Sequence, residues 1–147
     1  MRELERSIDA AREQAKRTAC SDRIVFWGKT DNPSKLYSAM HIFAFPYKYE
    51  GLPIVLLEAQ MSGLPCIVSD KITTEVDFGN VFWVSIEDEP EIWVNAIRNL
   101  SYVTDEQRKI YQKKHAHQIA RYNINNIVTI QENIYLEQLK KSRKRRW

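Results

Sequence analysis

One apolar segment, residues 50–65, limits most strongly what this chain can fold into. It reads EGLPIVLLEAQMSGLP, with a glycine and a proline near each end. Proline is favoured in the first turn of a helix, and a glycine followed by a proline is typical of a helix end. The sequence therefore predicts a helix over about residues 53–62. Because its interior is apolar on nearly all sides, we expect this helix to be buried on most sides.

Glu58 is the residue that does not fit such a helix, because an ionised carboxylate among apolar residues is costly unless a partner offsets the cost. Glu50 stands just before the helix, with seven residues between the two glutamates. Each has an ordinary explanation when it is considered singly. The helix dipole favours a carboxylate at the position of Glu50 by about 0.3–1 kcal/mol, and Glu58 could face solvent or pair with a lysine or arginine.

Short β-branched and aromatic runs alternate with helical patterns along the rest of the chain. The predicted strands cover residues 23–27, 41–46, 65–69 and 81–84. The other predicted helices cover residues 3–19, 33–40, 89–101, 104–121 and 124–141. This alternation indicates parallel strands with right-handed crossovers, and the apolar strands indicate a sheet covered on both faces. The predicted fold class is α/β, a doubly wound parallel sheet with C-terminal helices.

Composition and charge narrow the class of protein. A chain of 147 residues suits one domain, which we predict over residues 1–139, followed by a basic tail over 140–147. The tail holds six basic residues and a terminal tryptophan, whereas the whole chain has a net charge of only +3. Such a tail contacts an anionic membrane or nucleic acid, or it is a solvated, frayed end. No apolar run approaches the roughly 20 residues of a membrane span, and the start is not a signal peptide. Cys20 and Cys66 lack metal-ligand spacing. Their sequence positions leave a disulfide open, but Cys66 lies in an apolar predicted strand, so we expect a reduced, cytoplasmic protein.

Three turn-rich segments are predicted at the carboxyl edge of the sheet, where such folds bind ligands: residues 28–32, 47–53 and 69–75. The free backbone amides of Gly51, Leu52 and Ile54 make the start of the central helix suitable for a phosphate group. Glu50 and Glu58, on either side, are acceptors suited to sugar hydroxyls. A ligand with a diphosphate between two hydroxyl-bearing rings satisfies these features. A nucleotide-sugar has this layout.

The segment from Glu50 to Pro65 resembles the signature of the retaining glycosyltransferases of family 4 (group 1), which have the two-domain GT-B fold. The sequence CIVSD at residues 66–70, Glu75-Val76, and FWG at residues 26–28 are also similar to that family. The similarity covers most of the chain, and residues 23–100 carry it best. Within the family the chain looks most like bacterial enzymes that build capsular or exopolysaccharide.

The resemblance implies a role for each matching residue. Glu50 would hold hydroxyls of the transferred sugar near the anomeric centre and is the implied catalytic residue. The amides of Gly51 and Leu52 would contact the diphosphate or the sugar, and Glu58 would bind the ribose hydroxyls. The donor base would lie against the loop formed by Gly28, Lys29 and Thr30. Transfer from the nucleotide-sugar, with UDP as the expected nucleotide, to a glycan or lipid-linked acceptor would retain configuration.

The resemblance also implies that no metal or other cofactor is needed, and the chain contains no Asp-x-Asp motif. It differs from the family where Tyr47 follows Pro46 in place of a serine, and where Thr73 and Thr74 replace two glycines before Glu75. The first strand of the donor domain, a basic Arg/Lys pair and the acceptor-binding N-terminal domain are not in these residues. We therefore expect a fragment that lacks useful activity alone and lies in the cytoplasm, at the inner membrane face if the tail binds lipid.

Two other classes of function compete with this interpretation. A hydrolase could use the two glutamates as acid and base, which requires about 5–9.5 Å between the carboxyl groups. A non-catalytic nucleotide-binding or interaction module would act with a partner chain or a membrane surface. We expect no nucleic acid partner. The three histidines, Trp27, Trp83 and Trp93 are expected to have structural roles.

Overall fold

The computed structural model describes residues 2–100 and 103–144. The chain divides into two compact units, Met1–Pro33 and Ser34–Trp147, which we call the N-terminal unit and the C-terminal unit. The prediction of one donor-binding domain over residues 1–139 with a tail over 140–147 stays a prediction.

The N-terminal unit contains one long helix. Helix α1 (Arg2–Lys16) confirms the predicted helix over residues 3–19, and a short 3-10 helix follows at Ser21–Arg23. Side chains three residues apart form ion pairs on its surface, as between Lys16 Nζ and Glu13 Oε1 at 2.7 Å.

The predicted buried strand over residues 23–27 is wrong. Residues 24–30 form an irregular segment, and no strand in the described part of the chain pairs with it. Val25 is 74% exposed and Trp27 is 66% exposed, so Trp27 is not a core residue of the described structure. A β-branched and aromatic run becomes a strand only where a neighbouring strand takes up its backbone hydrogen bonds. Phe26 instead lies under the guanidinium of Arg12, 5.8 Å from the ring centroid.

The C-terminal unit is built on a parallel sheet of three strands in the order β1 (Phe43–Phe45), β2 (Cys66–Ser69) and β3 (Val81–Val84). Ala44, Ile67 and Phe82 are partners across the sheet. Helix α2 (Pro33–Ala39) precedes β1, and helix α3 (Ile54–Met61) joins β1 to β2. The parallel sheet flanked by helices confirms the α/β, Rossmann-like class.

Burial is greatest along the central strand. All four residues of β2 are buried, and the other core residues come from α2, α3, the loop before β2 and the segment between β2 and β3. The outer strands are only partly covered, because Ala44 and Phe82, which flank the buried Ile67, are exposed. An outer strand has a neighbour on one side only, so the expectation of strands covered on both faces holds for β2 alone.

Four further helices complete the described structure: α4 (Pro90–Asn99), α5 (Asp105–Lys114), α6 (Ala116–Ala120) and α7 (Ile124–Lys144). A capping box formed by Thr104 and Gln107 starts α5. The single helix predicted over residues 104–121 is broken at His115, which has φ −104° and ψ 13°. The ring of His115 contacts Tyr111 and its Nδ1 lies 2.6 Å from Gln118 Oε1.

Helix α7 extends to Lys144, so residues 140–144 of the predicted basic tail are helical rather than frayed. The end of the helix predicted at 89–101 and residues 145–147 of the tail fall outside the described residues. Among residues 2–100 and 103–144, no helix combines the length and apolar character that a membrane crossing requires.

Candidate functional site

The candidate site is built around the first turn of α3. The preceding residue, Pro53, caps the helix with φ −75° and ψ 97°, and Gly63 follows its end with φ +75°. Helix bounds predicted at 53–62 are therefore confirmed to within one residue. A Cβ on Gly63 would lie 2.9 Å from the Cβ of Arg108, so this glycine is required both by its conformation and by the close approach of α5.

Helix α3 is buried less completely than its sequence predicts. Leu56, Leu57 and Ala59 are buried, but Ile54 is 65% exposed and Val55 is also exposed. The expectation of burial on most sides is wrong for the first turn, because the helix enters the core only at Leu56. The start of α3 is thus an exposed surface that follows directly from the loop after β1.

Glu58 lies in the half-buried part of α3 and has one partner. Its Oε2 accepts a hydrogen bond of 3.0 Å from the hydroxyl of Tyr37 on α2. In the described part of the chain, no lysine or arginine forms an ion pair with Glu58. The sequence anticipated that this carboxylate needs a partner but not that the partner is a neutral phenol.

Tyr37 is itself a core residue, with 6% of its surface exposed. Burial raises the pKa of its phenol to about 12, and the hydrogen bond to the Glu58 carboxylate adds to the increase. A phenol is protonated at neutral pH, and this hydroxyl is the donor in the hydrogen bond to Glu58. No spacing rule relates two residues 21 positions apart, so the sequence alone did not identify Tyr37.

Glu50, Gly51 and Leu52 lie together in the exposed loop that leads into α3. Within the described residues, no protein group accepts a hydrogen bond from the amides of Gly51, Leu52, Ile54 or Val55, as expected for the first turn of a helix. The Glu50 carboxylate likewise has no hydrogen-bond or ion-pair partner there. The amides that were predicted to face a phosphate are thus available to an anion.

Two side chains of helix α5 donate hydrogen bonds to backbone carbonyls at the ends of α2 and α3. The Arg108 guanidinium, which is buried, donates to the backbone carbonyls of Tyr37, Ser38 and Met40 at the end of α2. One turn later, Gln112 Nε2 donates to the carbonyl of Met61 at the end of α3, at 2.8 Å. A cation at a helix C-terminus satisfies unpaired carbonyls and opposes the helix dipole. These contacts join residues 51 to 71 positions apart in the sequence, so no local pattern could have indicated them.

Gln60 is a second polar side chain on α3. It is fully buried, and its amide bonds both the carbonyl of Val76, at 2.7 Å, and the backbone N–H of Phe78, at 2.9 Å. The side chain therefore fixes the loop between β2 and β3 to α3. A glutamine within an apolar helix is a signal that could have been noticed, since a buried amide requires partners.

The loop after β2 completes the carboxyl edge. The backbone N–H of Ile86 donates to Asp70 Oδ1 at 3.2 Å, and this hydrogen bond lowers the pKa of Asp70. Glu75 is exposed in the 3-10 helix Thr74–Val76, which Thr73 caps through its hydroxyl. Asp70 thus has a structural bond, whereas Glu75 is exposed close to the same edge.

A row of aromatic rings runs along β1 towards the loop that carries Glu50. Phe43 stacks on Phe45 with centroids 5.9 Å apart, and Phe45 stacks on Tyr47 at 5.3 Å. Tyr47 is half-exposed, and Tyr49 is 89% exposed. The residue that departs from the family pattern therefore extends the stacked row to the edge of the site rather than entering the core.

The predicted base-binding loop lies in the other unit. Gly28 has φ +77°, Lys29 is exposed, and the hydroxyl of Thr30 accepts the N–H of Asn32 at 3.1 Å. These residues belong to the N-terminal unit, and both glutamates belong to the C-terminal unit. The contact between this loop and a nucleotide base stays a prediction.

Neither cysteine forms a disulfide, and burial raises the pKa of the Cys66 thiol in β2. No group of three or more histidine, cysteine, aspartate or glutamate side chains in the described residues is arranged to hold a metal ion.

Comparison with known families agrees with this arrangement of motif and fold. A model of the family described as "Glycosyl transferases group 1" matches residues 4–102, about two thirds of the chain. The chain belongs to this glycosyltransferase family. The resemblance seen in the signature of residues 50–65 is therefore confirmed.

Three bacterial relatives of this group 1 chain are informative. The Bacillus subtilis (strain 168) protein EpsF, which is named as a glycosyltransferase, is 39% identical over 87 residues, or 58% of this chain. An Escherichia coli UDP-Gal:alpha-D-GlcNAc-diphosphoundecaprenol alpha-1,3-galactosyltransferase is 40% identical over 48 residues, or 33% of the chain. The lipopolysaccharide core biosynthesis mannosyltransferase LpsB of Rhizobium meliloti (strain 1021) is 32% identical over 59 residues, or 40% of the chain. The matched segments span 23%, 12% and 17% of these relatives.

Proposed function

We propose that this chain is the donor-binding part of a retaining glycosyltransferase that moves a sugar from a nucleotide-sugar, with UDP as the expected nucleotide, to a glycan or lipid-linked acceptor. The observation that carries the proposal is the exposed start of α3, where unpaired amides lie between Glu50 and the held carboxylate of Glu58. Membership of the group 1 family supports it. The galactosyltransferase relative is named for a UDP-Gal donor and a diphosphoundecaprenol acceptor.

Each group has a distinct role in the proposed site. The amides of Gly51 and Leu52, with the dipole of α3, stabilise the diphosphate, which becomes more negative as the bond to the anomeric carbon breaks. Glu58 accepts the ribose hydroxyls. Glu50 accepts hydroxyls of the transferred sugar and places negative charge near the cationic anomeric centre. No metal is required.

Nucleotide binding is the direct test. A thermal-shift panel of UDP, GDP, ADP and their sugar conjugates is measured with the purified chain. We expect the nucleotide that binds, and its sugar conjugate, to raise Tm. A ligand at 100 times its Kd stabilises the fold by about 2.7 kcal/mol. If no member of the panel shifts Tm, the proposed donor site is refuted, and the hydrolase and the interaction module become the better explanations.

Two charge-neutral variants separate the roles of the glutamates. E58Q weakens binding of the free nucleotide and of the nucleotide-sugar alike, by about tenfold, because a charge-assisted hydrogen bond to ribose is lost. E50Q leaves the affinity for the free nucleotide unchanged and weakens only the nucleotide-sugar. E87Q, at an exposed glutamate far along the chain, is the matched control. Equal effects of E50Q and E58Q on both ligands would contradict the assignment.

Retention is tested by determining the anomeric configuration of the glycoside product by NMR. The reaction is run with a protein that transfers sugar. A product with the same configuration as the donor supports the proposal, and an inverted product refutes it.

A second candidate function, peripheral contact of Lys140–Trp147 with an anionic membrane, is favoured by the surface of α7. Its exposed apolar residues continue up to two exposed lysines, Lys140 and Lys141. These apolar residues are Ile124, Val128, Ile130, Ile134, Tyr135, Leu136 and Leu139. Apolar side chains beside a basic cluster suit an interface with anionic lipid, at about 1 kcal/mol per basic residue near the surface.

Vesicle sedimentation tests this membrane contact. The chain is expected to bind phosphatidylserine vesicles and not phosphatidylcholine vesicles, and to lose binding when residues 140–147 are deleted. Equal binding with and without these residues would refute the proposal. Residence in the cytoplasm at the inner membrane face stays a prediction.

A further inference from the structure

The carboxylate of Glu58 has a single protein partner in the described part of the chain. Its Oε2 accepts the hydroxyl of Tyr37 at 3.0 Å, and no described group bonds its Oε1. An ionised carboxylate has about four acceptor positions, so one bond to Oε2 leaves most of its capacity for a ligand. A half-buried glutamate with one fixed oxygen and one unoccupied oxygen is arranged to receive further donors.

Packing and hydrogen bonds hold Tyr37 in place. Its side chain is buried, and its ring meets Phe43 edge-on, with centroids 5.9 Å apart and planes at 71°. Its backbone carbonyl accepts from the buried guanidinium of Arg108, which also bonds the carbonyls of Ser38 and Met40. The phenol hydroxyl is therefore attached to a fixed ring on a helix whose end is capped.

A fixed donor restricts the rotamers of its acceptor. Glutamate has several side-chain torsions, and ordering such a side chain on binding costs free energy that a preformed hydrogen bond removes in advance. Tyr37 has no lysine or arginine to compete with it at Glu58, because none of the ion pairs found in the described residues includes this carboxylate. The phenol is thus the group that sets the orientation of Glu58.

We propose that Tyr37 is a positioning residue that holds Glu58 in the orientation from which it accepts the ribose hydroxyls of the nucleotide. This inference rests on the proposed donor-binding function and adds to it a residue of α2 that lies outside the signature segment. Tyr37 acts through Glu58 and does not itself touch the substrate. Its contribution therefore depends on the ribose hydroxyls being present.

The test compares a ribonucleotide with the same nucleotide lacking both ribose hydroxyls. Whichever of UDP, GDP and ADP binds the wild-type chain is titrated by calorimetry, together with its 2′,3′-dideoxy form. Y37F is expected to weaken binding of the ribonucleotide by about three- to tenfold and to leave the dideoxy form unchanged. Because a loosened fold would weaken both ligands alike, this ratio separates positioning from a merely structural role.

Two controls complete the experiment. Y111F removes a hydroxyl from a partly buried tyrosine, which donates to the carbonyl of Phe78 at 3.3 Å, and is expected to leave the ratio unchanged. In the E58Q background, Y37F is expected to have no further effect on the ratio, since the oriented group is already altered. Circular dichroism checks that each variant is folded.

The outcomes distinguish the two proposals. If a ribonucleotide binds and Y37F weakens both of its forms equally, or neither, the positioning role is refuted while the donor site stands. If none of the three nucleotides binds the wild-type chain, the donor site is refuted and the positioning role falls with it.

Discussion

Glu50 and Glu58 belong to one sequence signature, yet the structure treats them differently. Glu58 is half-buried in α3 and bonded to Tyr37, whose helix is capped by Arg108. Glu50 is exposed in the loop before α3 and has no hydrogen-bond or ion-pair partner in the described part of the chain. The fold therefore holds one carboxylate by a hydrogen bond and leaves the other without a protein partner in the described residues.

The difference suits two kinds of ligand group. Under the proposed function, a ribose is common to every nucleotide donor, and a preformed acceptor for its hydroxyls would lower the entropic cost of binding each of them. The transferred sugar differs between donors, and under the same proposal an exposed carboxylate in a loop would adjust to it. We therefore expect substitutions around Glu58 to lower both the stability of the fold and the affinity for ligand. Substitutions around Glu50 should lower the affinity alone.

The largest expected effect is on the support behind Glu58. R108L leaves the carbonyls of Tyr37, Ser38 and Met40 without their donor, and should lower the free energy of unfolding by about 3 kcal/mol. Urea unfolding measures the loss. K109L, at the exposed neighbouring residue, should change stability by less than about 0.5 kcal/mol. Similar losses for the two variants would show that Arg108 does not support the held half of the site.

The next largest expected effect is at Gln60, two residues after Glu58 in α3. Q60L leaves the carbonyl of Val76 and the N–H of Phe78 buried without partners, at a cost of about 2–3 kcal/mol. Q131L, on the exposed surface of α7, is the matched control and should be nearly neutral. A neutral Q60L would mean that the loop between β2 and β3 is fixed by other contacts.

Truncating each glutamate in turn tests the difference between Glu58 and Glu50. E58A leaves the buried hydroxyl of Tyr37 without its acceptor and should destabilise the fold by about 1–2 kcal/mol. E50A removes an exposed side chain and should change stability by no more than about 0.5 kcal/mol. Both are measured by urea unfolding at pH 7. Equal values would remove the distinction between a held and an exposed carboxylate.

The smallest effect is a dependence on pH that Tyr37 contributes. Its pKa in the folded chain is about 12, above the usual value of about 10. Since a raised pKa favours the folded state only while the phenol stays protonated, this stability is complete below pH 10 and is lost as the pH rises towards 12. The advantage of wild type over Y37F in urea unfolding should therefore shrink by about 1 kcal/mol between pH 9 and 11. A constant difference over this range would contradict the assignment.

The sequence predicted the elements whose signals are local. Proline before α3 and glycine after it located that helix to within one residue, and the apolar runs of β1, β2 and β3 were found in their correct order. The same reasoning was wrong at residues 23–27, because a run with strand composition needs a partner strand, and composition does not state whether one is present. It was also wrong at His115, where two helices replace one.

For the site, local sequence patterns were sufficient to predict the family, the position of α3 and two carboxylates around its start. Those features depend on residues within 16 positions of each other, so spacing and helix-end preferences predict them. The hydrogen bond from Tyr37 to Glu58, the cap of α2 by Arg108 and the attachment of a distant loop by Gln60 were visible in the folded structure alone. Hydrogen bonds between residues 16 to 71 positions apart arise from packing of the whole chain. The signature therefore indicates which groups the candidate site contains, and the folded structure shows which of them is held in place.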